Sequence, residues 1–332
     1  MARASSSDAT RAATPADRGV TGQAAATLDG RPVPGRGGVA VLARIRRWLD
    51  RRFFVLAPLP GFVLVAAVTL VPIVLGIYLS FTNYQPIHPT YQWSGLVNYR
   101  GLVHDPQVHQ AVKNTVIFAG FGLVIEMILG VGLALLLARP ARGISVFRTL
   151  YVLPLMVAGI ASAVAWRALL NTSSGWINYL FSVVGLPQPN WLASPHTAMP
   201  SVLLADVWSG APTVAIIVLA GLLAMHKDPV EAARVDGATD WQIFLRITLP
   251  ALRPVLAFAA VFRLVDLFRQ IALFQVVTGG GPGLATTVLN FFVYQTTFVF
   301  GELGYGAALA VLLIVMMIIP LALFARLARR SA

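Results

Sequence analysis

The chain has 332 residues, of which 57% are hydrophobic and 11% are charged, and it contains no cysteine. A soluble domain carries about 25% charged residues, so this composition predicts an all-α membrane protein rather than a soluble fold. The lack of cysteine excludes disulfides and thiolate chemistry, and the five histidines show no metal-ligand spacing. The net charge of +12 comes from short basic clusters beside apolar segments, which indicates membrane topology and no nucleic-acid partner.

Residues 1–50 are rich in Ala, Arg, Gly, Ser, Thr and Pro and show no apolar periodicity. Such a composition cannot bury enough apolar surface to form a core, and it predicts a disordered basic tail. Residues 51–113 are predicted to hold a first transmembrane helix and the loop that follows it.

Six apolar segments are each long enough to cross the hydrocarbon core of a membrane, which takes about 20 residues. They lie at residues 53–81, 115–137, 150–170, 201–225, 255–277 and 304–325. Six transmembrane helices place both termini on one side. With that side in the cytosol, 20 of the 25 Lys and Arg residues are cytosolic, whereas the loops outside hold only Arg100 and Lys113. The sequence therefore predicts cytosolic termini and a cytosolic loop at residues 226–254.

No phosphate-binding G-x-x-x-x-G-K-[ST] motif occurs, and neither of the two lysines, Lys113 and Lys227, follows a glycine. If ATP drives this protein, another subunit must bind it. The sequence thus predicts no cofactor and no metal for this chain.

Several ionisable residues fall within or beside the predicted helices. A charge at the centre of a bilayer costs about 2.5–3.5 kcal/mol on insertion scales, so these residues are expected to face inward. Arg263, Asp266 and Arg269 are three residues apart, a spacing that permits a ladder of ion pairs. The candidate translocation path is Glu126, Asp206, Trp208, Arg263, Asp266 and Arg269. The alternatives are a structural ion pair near a helix end and a tryptophan that only packs.

The predicted cytosolic loop carries signals for two short helices. Asp228 with Glu231 three residues later forms a capping-box pattern, and Gly237 is suited to end the first helix. Thr239 and Gln242 repeat the capping pattern, and Pro250 limits the second helix.

Trp241, Phe244 and Leu245 give the second loop helix an apolar stripe. Such a stripe either docks into the groove of a partner or packs on helix ends of the same chain. The pattern alone leaves both alternatives open.

The loop also contains Glu231-Ala232-Ala233 and Asp236-Gly237-Ala238, followed by Phe244, Ile247, Leu249-Pro250 and Pro254. This string resembles the EAA signature of ABC importer permeases, EAA-x-x-DGA followed by I-x-LP. The resemblance implies that residues 226–254 sit in a cleft of a separate ATPase subunit. The residues given this coupling role are Glu231, Ala232, Ala233, Asp236, Gly237, Ala238, Trp241, Phe244 and Pro250.

A second string narrows the resemblance. Residues 278–287 (TGGGPGLATT), with Asn290, Tyr294 and the GYGAA segment at 304–308, are similar to carbohydrate permeases of the maltose, glycerol-phosphate and polyol type. From the residues alone, 279–283 is a non-helical turn at the end of a transmembrane helix.

The resemblance implies a type I ABC importer permease fold with a transmembrane domain at residues 114–326, in a bacterial plasma membrane. The implied solute is a carbohydrate: a sugar, an oligosaccharide or a polyol. The implied partners are a second permease subunit that makes a heterodimer, two cytosolic ATPase subunits that bind the ATP, and an extracytoplasmic solute-binding protein.

Two other classes of function remain alternatives. An ion-coupled secondary carrier would use Glu126 and Asp206 as coupling carboxylates. A membrane-embedded enzyme would need a cluster of nucleophiles, bases or metal ligands, and the sequence offers none. We therefore predict a transport subunit without catalytic residues.

Overall fold

The computed structural model describes residues 57–87, 92–139 and 142–330, and the predicted tail at residues 1–50 lies outside these ranges. The described residues are mainly helical, with one isolated antiparallel bridge between Thr82 and Trp93. The helices are α1 (Leu59–Leu79), α2 (Val97–His104), α3 (Pro106–Ala138), α4 (Ile144–Met156), α5 (Gly159–Leu169), α6 (Trp176–Val183), α7 (Pro195–Ala224), α8 (Asp228–Val235), α9 (Asp240–Ile243), α10 (Leu249–Ala251), α11 (Arg253–Arg269), α12 (Leu289–Tyr294) and α13 (Leu303–Arg330). Three π-helical turns occur at Phe244–Thr248, Phe274–Thr278 and Gln295–Val299.

Contacts divide the chain into a unit that ends at Val65 and a second unit that begins at Ala66. The described part of the first unit comprises residues 57–65, which include the beginning of α1. All the sites considered below belong to the second unit.

Four of the described helices are long and apolar enough to cross a membrane: α1, α3, α7 and the Leu303–Phe324 part of α13. A fifth candidate is the pair α4 and α5, taken together as one broken span. The count of six stays a prediction, because two of the six predicted segments are not continuous helices.

The predicted span at residues 150–170 is interrupted by a bend of 97° between α4 and α5. Pro154 has no N–H to continue the helical ladder, and Val157 and Ala158 are extended. A bend does not change the apolar composition, so hydropathy gives no sign of it.

The predicted span at 255–277 is broken as well. Helix α11 ends at Arg269, where Gln270 adopts an extended conformation, and a π-helical turn then runs to Thr278. Gly279 follows with a φ of 64°, a conformation that glycine adopts without steric cost. This segment is therefore two short pieces rather than one transmembrane helix.

Helices α3 and α7 form the most extensive helix pair in the described part of the chain. Small residues allow their backbones to approach closely: a Cβ atom on Gly130 would lie 2.5 Å from Cβ of Val214. Buried residues of α5, α11 and the turn at Phe274–Thr278 pack beside this pair, and Phe118 meets Phe274 edge to face at 4.8 Å.

The glycine-rich turn after Thr278 is non-helical, as the sequence predicted. Its threonines hold it in place, since the Thr286 hydroxyl donates to the Gly281 carbonyl at 2.8 Å and the Thr287 hydroxyl donates to the Gly280 carbonyl at 3.1 Å. The Asn114 amide of α3 donates to the carbonyls of Leu284 and Thr287. The turn is therefore anchored to a residue of α3 that lies at least 170 positions earlier in the sequence.

Candidate functional site

The loop after α7 folds into the two short helices that the sequence predicted, with one correction at its beginning. Helix α8 begins at Asp228, but Lys227 occupies the N-cap position and no side chain caps it. Because the backbone of Lys227 is already helical (φ −84°, ψ −24°), Asp228 lies inside the helix and cannot cap it. The predicted capping box of Asp228 and Glu231 is wrong.

Helix α8 ends as predicted at Gly237, which has a φ of +80°. The Ala238 N–H donates to the Ala233 carbonyl at 2.9 Å, and the Gly237 N–H donates to the Arg234 carbonyl at 3.1 Å. This pair of bonds is the Schellman motif, which satisfies the last carbonyls of the helix.

Helix α9 begins with the predicted capping box. The Gln242 N–H donates to the Thr239 hydroxyl, and the Thr239 N–H donates to the Gln242 side chain at 2.9 Å. The helical path then widens into the π-helical turn at Phe244–Thr248 and continues past Pro250 to Ala251. The wider turn accommodates Pro250, which has no N–H to donate an i to i−4 hydrogen bond.

The apolar stripe of this loop is exposed rather than packed. Trp241 is 66% exposed and stacks on Phe244 with ring centroids 5.5 Å apart, and Leu245 is 43% exposed. None of the residues of α8 is buried. None of the nine predicted coupling residues is buried, and all of them lie in α8, α9, α10 or the turns between these helices. We call the residues 228–251 the coupling loop.

A second site lies between three helices, where Arg263 of α11 contacts carboxylates from α3, α7 and α11. Its Nε donates to Glu126 Oε2 at 2.5 Å, and its Nη2 donates to Glu126 Oε1 at 2.8 Å and to Asp206 Oδ2 at 2.7 Å. Its Nη1 donates to Asp266 Oδ2 at 2.8 Å. We call these four residues the Arg263 cluster.

Three members of the Arg263 cluster are buried: Glu126 is 0% exposed, Asp206 1% and Arg263 4%. Only Asp266 is open, with half of its side chain accessible. Gly210 of α7 provides the space for the Arg263 cluster, because a Cβ atom at that position would overlap Glu126 Oε1 and the Arg263 guanidinium. An ion pair this deeply buried is tolerated only when each charge is paired and hydrogen-bonded, which is the case here.

A cavity of about 160 Å³ opens beside the Arg263 cluster. Its polar lining consists of Ser162, Asp206, Ser209, Thr213, Arg263, Asp266 and Gln270, and its apolar lining includes Pro154, Val157 and Leu273. Both helix breaks, at Val157 and at Gln270, border it. Irregular backbone at membrane depth is stable where it lines such a cavity, because water or protein can satisfy the free polar groups. We call this space the polar cavity.

Four polar residues that line the polar cavity were not recognised in the sequence: Ser162, Ser209, Thr213 and Gln270. Gln270 donates to Asp206 Oδ1 at 2.9 Å and so extends the Arg263 cluster. Ser162, just after the bend, is 7% exposed, and its hydroxyl has no hydrogen-bond partner among the described residues. A serine in an apolar segment carries no signal until the fold shows which residues surround it.

Two predicted path residues lie elsewhere. Arg269 is exposed and forms no ion pair with the described residues, so the predicted ladder stops at Asp266. Arg269 is the last residue of α11, and the backbone becomes extended at Gln270. Trp208 packs edge to face on Trp166 at 6.1 Å, and the described lining of the polar cavity does not include it.

Residues 127–332 match the family model described as binding-protein-dependent transport system inner membrane component. The trehalose/maltose transport system permease protein of Thermococcus litoralis is 33% identical over 260 residues, which cover 78% of this chain and 88% of that protein. The xylose/arabinose import permease protein of Haloferax volcanii is 32% identical over 279 residues, which cover 82% of this chain and 88% of that protein.

The chain belongs to this family. It is therefore an inner-membrane permease of an ABC transporter, a transport subunit and not an enzyme. Family membership decides against the two alternatives that the sequence left open, the ion-coupled carrier and the membrane-embedded enzyme.

The fold of this permease is similar to that of a chain from a bacterial ABC transporter involved in the import of the acidic polysaccharide alginate. The TM-score is 0.75 at 23% identity, and the match covers 86% of this chain and 99% of that chain. Together with the family, this likeness identifies the type I ABC permease fold.

Proposed function

We propose that this permease translocates a carbohydrate through a pathway shared with a second, non-identical permease subunit, and that two cytosolic ATPase subunits bind the ATP and drive it. An extracytoplasmic binding protein delivers the solute. The chain crosses the membrane six times, with both termini and the coupling loop in the cytosol, and its transmembrane domain spans residues 114–326.

The observation that carries this proposal is the exposed surface of the coupling loop. Its two helices are held by local caps at Gly237 and Thr239, while Trp241 and Leu245 remain open. An exposed aromatic stripe on a rigid helix pair is suited to helix-in-groove docking. In the proposed complex the groove belongs to the ATPase subunit, and its closure on ATP moves the coupling loop and the helices attached to it.

The carbohydrate assignment is supported by the relatives and by the turn after Thr278. The two permeases compared above are named for trehalose and maltose and for xylose and arabinose. We propose that the solute passes the polar cavity, where hydroxyl, amide and carboxylate groups match the hydroxyls of a sugar. Glu126 and Arg263 then act by holding Asp206 and Asp266 in place.

The test is reconstitution of the complete transporter in proteoliposomes with Glu231→Ala or Gly237→Val in this chain. Both variants are expected to insert and to assemble with the second permease, while ATP-driven sugar uptake is lost. Gly237→Val cannot adopt the positive φ of the Schellman turn cheaply, so it displaces the beginning of α9. Normal uptake by both variants contradicts the coupling role, and failure to purify with an ATPase contradicts the proposed complex.

A further inference from the structure

The polar cavity has a charge balance that bears on which carbohydrates can enter it. Three carboxyl groups, those of Glu126, Asp206 and Asp266, surround the single guanidinium of Arg263. Among the residues that line the cavity there is no other basic side chain in the described part of the chain. The cluster therefore has an excess of acidic groups beside the cavity.

The guanidinium of Arg263 has only one N–H donor that is not already bonded to a carboxylate. Of its five N–H donors, four are already used by the three carboxylates. Arginine is the side chain best suited to bind a carboxylate or a phosphate, because its fork donates two parallel bonds. Here the fork points at Glu126, so an anionic sugar finds no free fork in the cavity.

The groups that remain free favour hydroxyls. Ser162 is 7% exposed and its accessible hydroxyl has no partner among the described residues, from which the Gln270 amide oxygen also accepts no hydrogen bond. Half of the Asp266 side chain is exposed, and only its Oδ2 is paired with Arg263. Carboxylate and amide oxygens accept hydrogen bonds from sugar hydroxyls, and a carboxylate repels a second negative charge.

We infer that the polar cavity selects uncharged or cationic sugar rings and rejects anionic ones, and that Asp266 is the residue that sets this preference. The inference rests on the proposed function, because it requires that the solute pass this cavity. The fold alone does not determine whether the solute is charged, since the alginate importer of similar fold is described as importing an acidic polysaccharide. At about 160 Å³ the cavity is smaller than the pockets of 300–1,000 Å³ that enclose whole ligands, so it acts on one part of the solute at a time.

The experiment uses three sugars that share a pyranose ring and differ in charge: glucose, glucosamine and glucuronate. Their binding is measured by calorimetric titration of the purified complex of both permease and ATPase subunits, without the binding protein, whose own selectivity is thereby removed. We expect glucose and glucosamine to bind, and glucuronate to bind at least about tenfold more weakly than glucose.

Asp266→Asn removes the exposed negative charge from the cavity but keeps a side-chain oxygen that can accept from Arg263 Nη1. We expect it to raise glucuronate affinity at least about tenfold relative to glucose and to weaken glucosamine. Asp266→Glu keeps the charge and is expected to keep the rejection, which separates charge from packing. Glu302→Gln removes an exposed carboxylate that does not line this cavity and is expected to leave all three affinities as they are.

The possible outcomes separate this inference from the proposed function. If the wild-type complex binds all three sugars equally, the inferred rejection of anionic sugars is overturned while the carbohydrate function stands. The same holds if Asp266→Asn leaves the ratio of glucuronate to glucose affinity unchanged. If none of the three sugars binds, the proposed carbohydrate path through this cavity is overturned, and the inferred rejection of anionic sugars is overturned with it.

Discussion

Arg263 joins carboxylates from three helices, so its loss is expected to destabilise the fold strongly. In Arg263→Gln, Glu126 and Asp206 remain buried without a counter-charge, and the cost of such unpaired charges is about 3–5 kcal/mol. Thermal unfolding in detergent measures this change. The double variant Arg263→Gln/Glu126→Gln is expected to regain part of the stability, because one uncompensated carboxylate is gone. A double variant that is less stable than the single one would contradict this account.

Gly210 is expected to tolerate no larger residue, because it faces the Arg263 cluster directly. In Gly210→Ala the new methyl group overlaps Glu126 Oε1 and the guanidinium. Overpacking of this kind costs about 1–3 kcal/mol, which lowers the unfolding temperature. Gly132→Ala is the control, since a Cβ atom at that position meets nothing within 4 Å. Equal unfolding temperatures for the two variants would show that the cluster adapts to the methyl group.

At the level of elements, the capping box of α9 is expected to determine how rigid the coupling loop is. Thr239→Ala removes the hydroxyl that accepts the Gln242 N–H, a loss of about 1 kcal/mol. Amide hydrogen exchange over residues 240–245 is then expected to become about fivefold faster. Thr239→Ser retains a capping hydroxyl and serves as the control. Unchanged exchange in Thr239→Ala would mean that the box does not stabilise this helix.

Trp241 is expected to be a main contact for the ATPase subunit. Truncating a tryptophan at the centre of an interface costs about 2 kcal/mol or more, so Trp241→Ala is expected to weaken ATPase association by about thirtyfold. Trp176→Ala is a matched control, because Trp176 is also 66% exposed but lies outside the coupling loop. Affinity between detergent-purified permease and ATPase subunits is the measurement. An equal effect of both variants would argue against docking through Trp241.

The sequence predicts an element well where the cause is local. The turn at Gly237 and the box of Thr239 with Gln242 depend on residues within one helical turn, and both were predicted correctly. The cap at Asp228 failed because the helix begins one residue earlier than the pattern suggested, since the backbone of Lys227 is already helical.

Contacts between elements that are distant in the chain could not be predicted from the sequence. Arg263 and Glu126 are 137 residues apart, and spacing along the helix offered only Asp266 as a partner for Arg263. The bend between α4 and α5 was missed because its residues are as apolar as those of a straight helix. Ser162 and Gln270 became candidates only when that bend and the break at Gln270 placed them around the same cavity.

At the scale of the whole molecule, the proposed topology can be tested directly because the chain has no cysteine. Single substitutions Ser173→Cys and Ser331→Cys each provide one reactive thiol. A membrane-impermeant maleimide is expected to label Ser173→Cys in intact cells, and to label Ser331→Cys only after the membrane is opened. Labelling of both in intact cells would contradict a cytosolic C-terminus.

The bend between α4 and α5 also has a consequence for how the chain is made. At 13 and 11 residues these helices are about 20 Å and 16 Å long, and neither covers a hydrocarbon core of about 30 Å. Helix α5 is held by later parts of the chain, including a bond of 3.0 Å from Arg167 to the carbonyl of Val276. The ribosome must therefore synthesise more than one hundred further residues before this region can reach its final place in the bilayer.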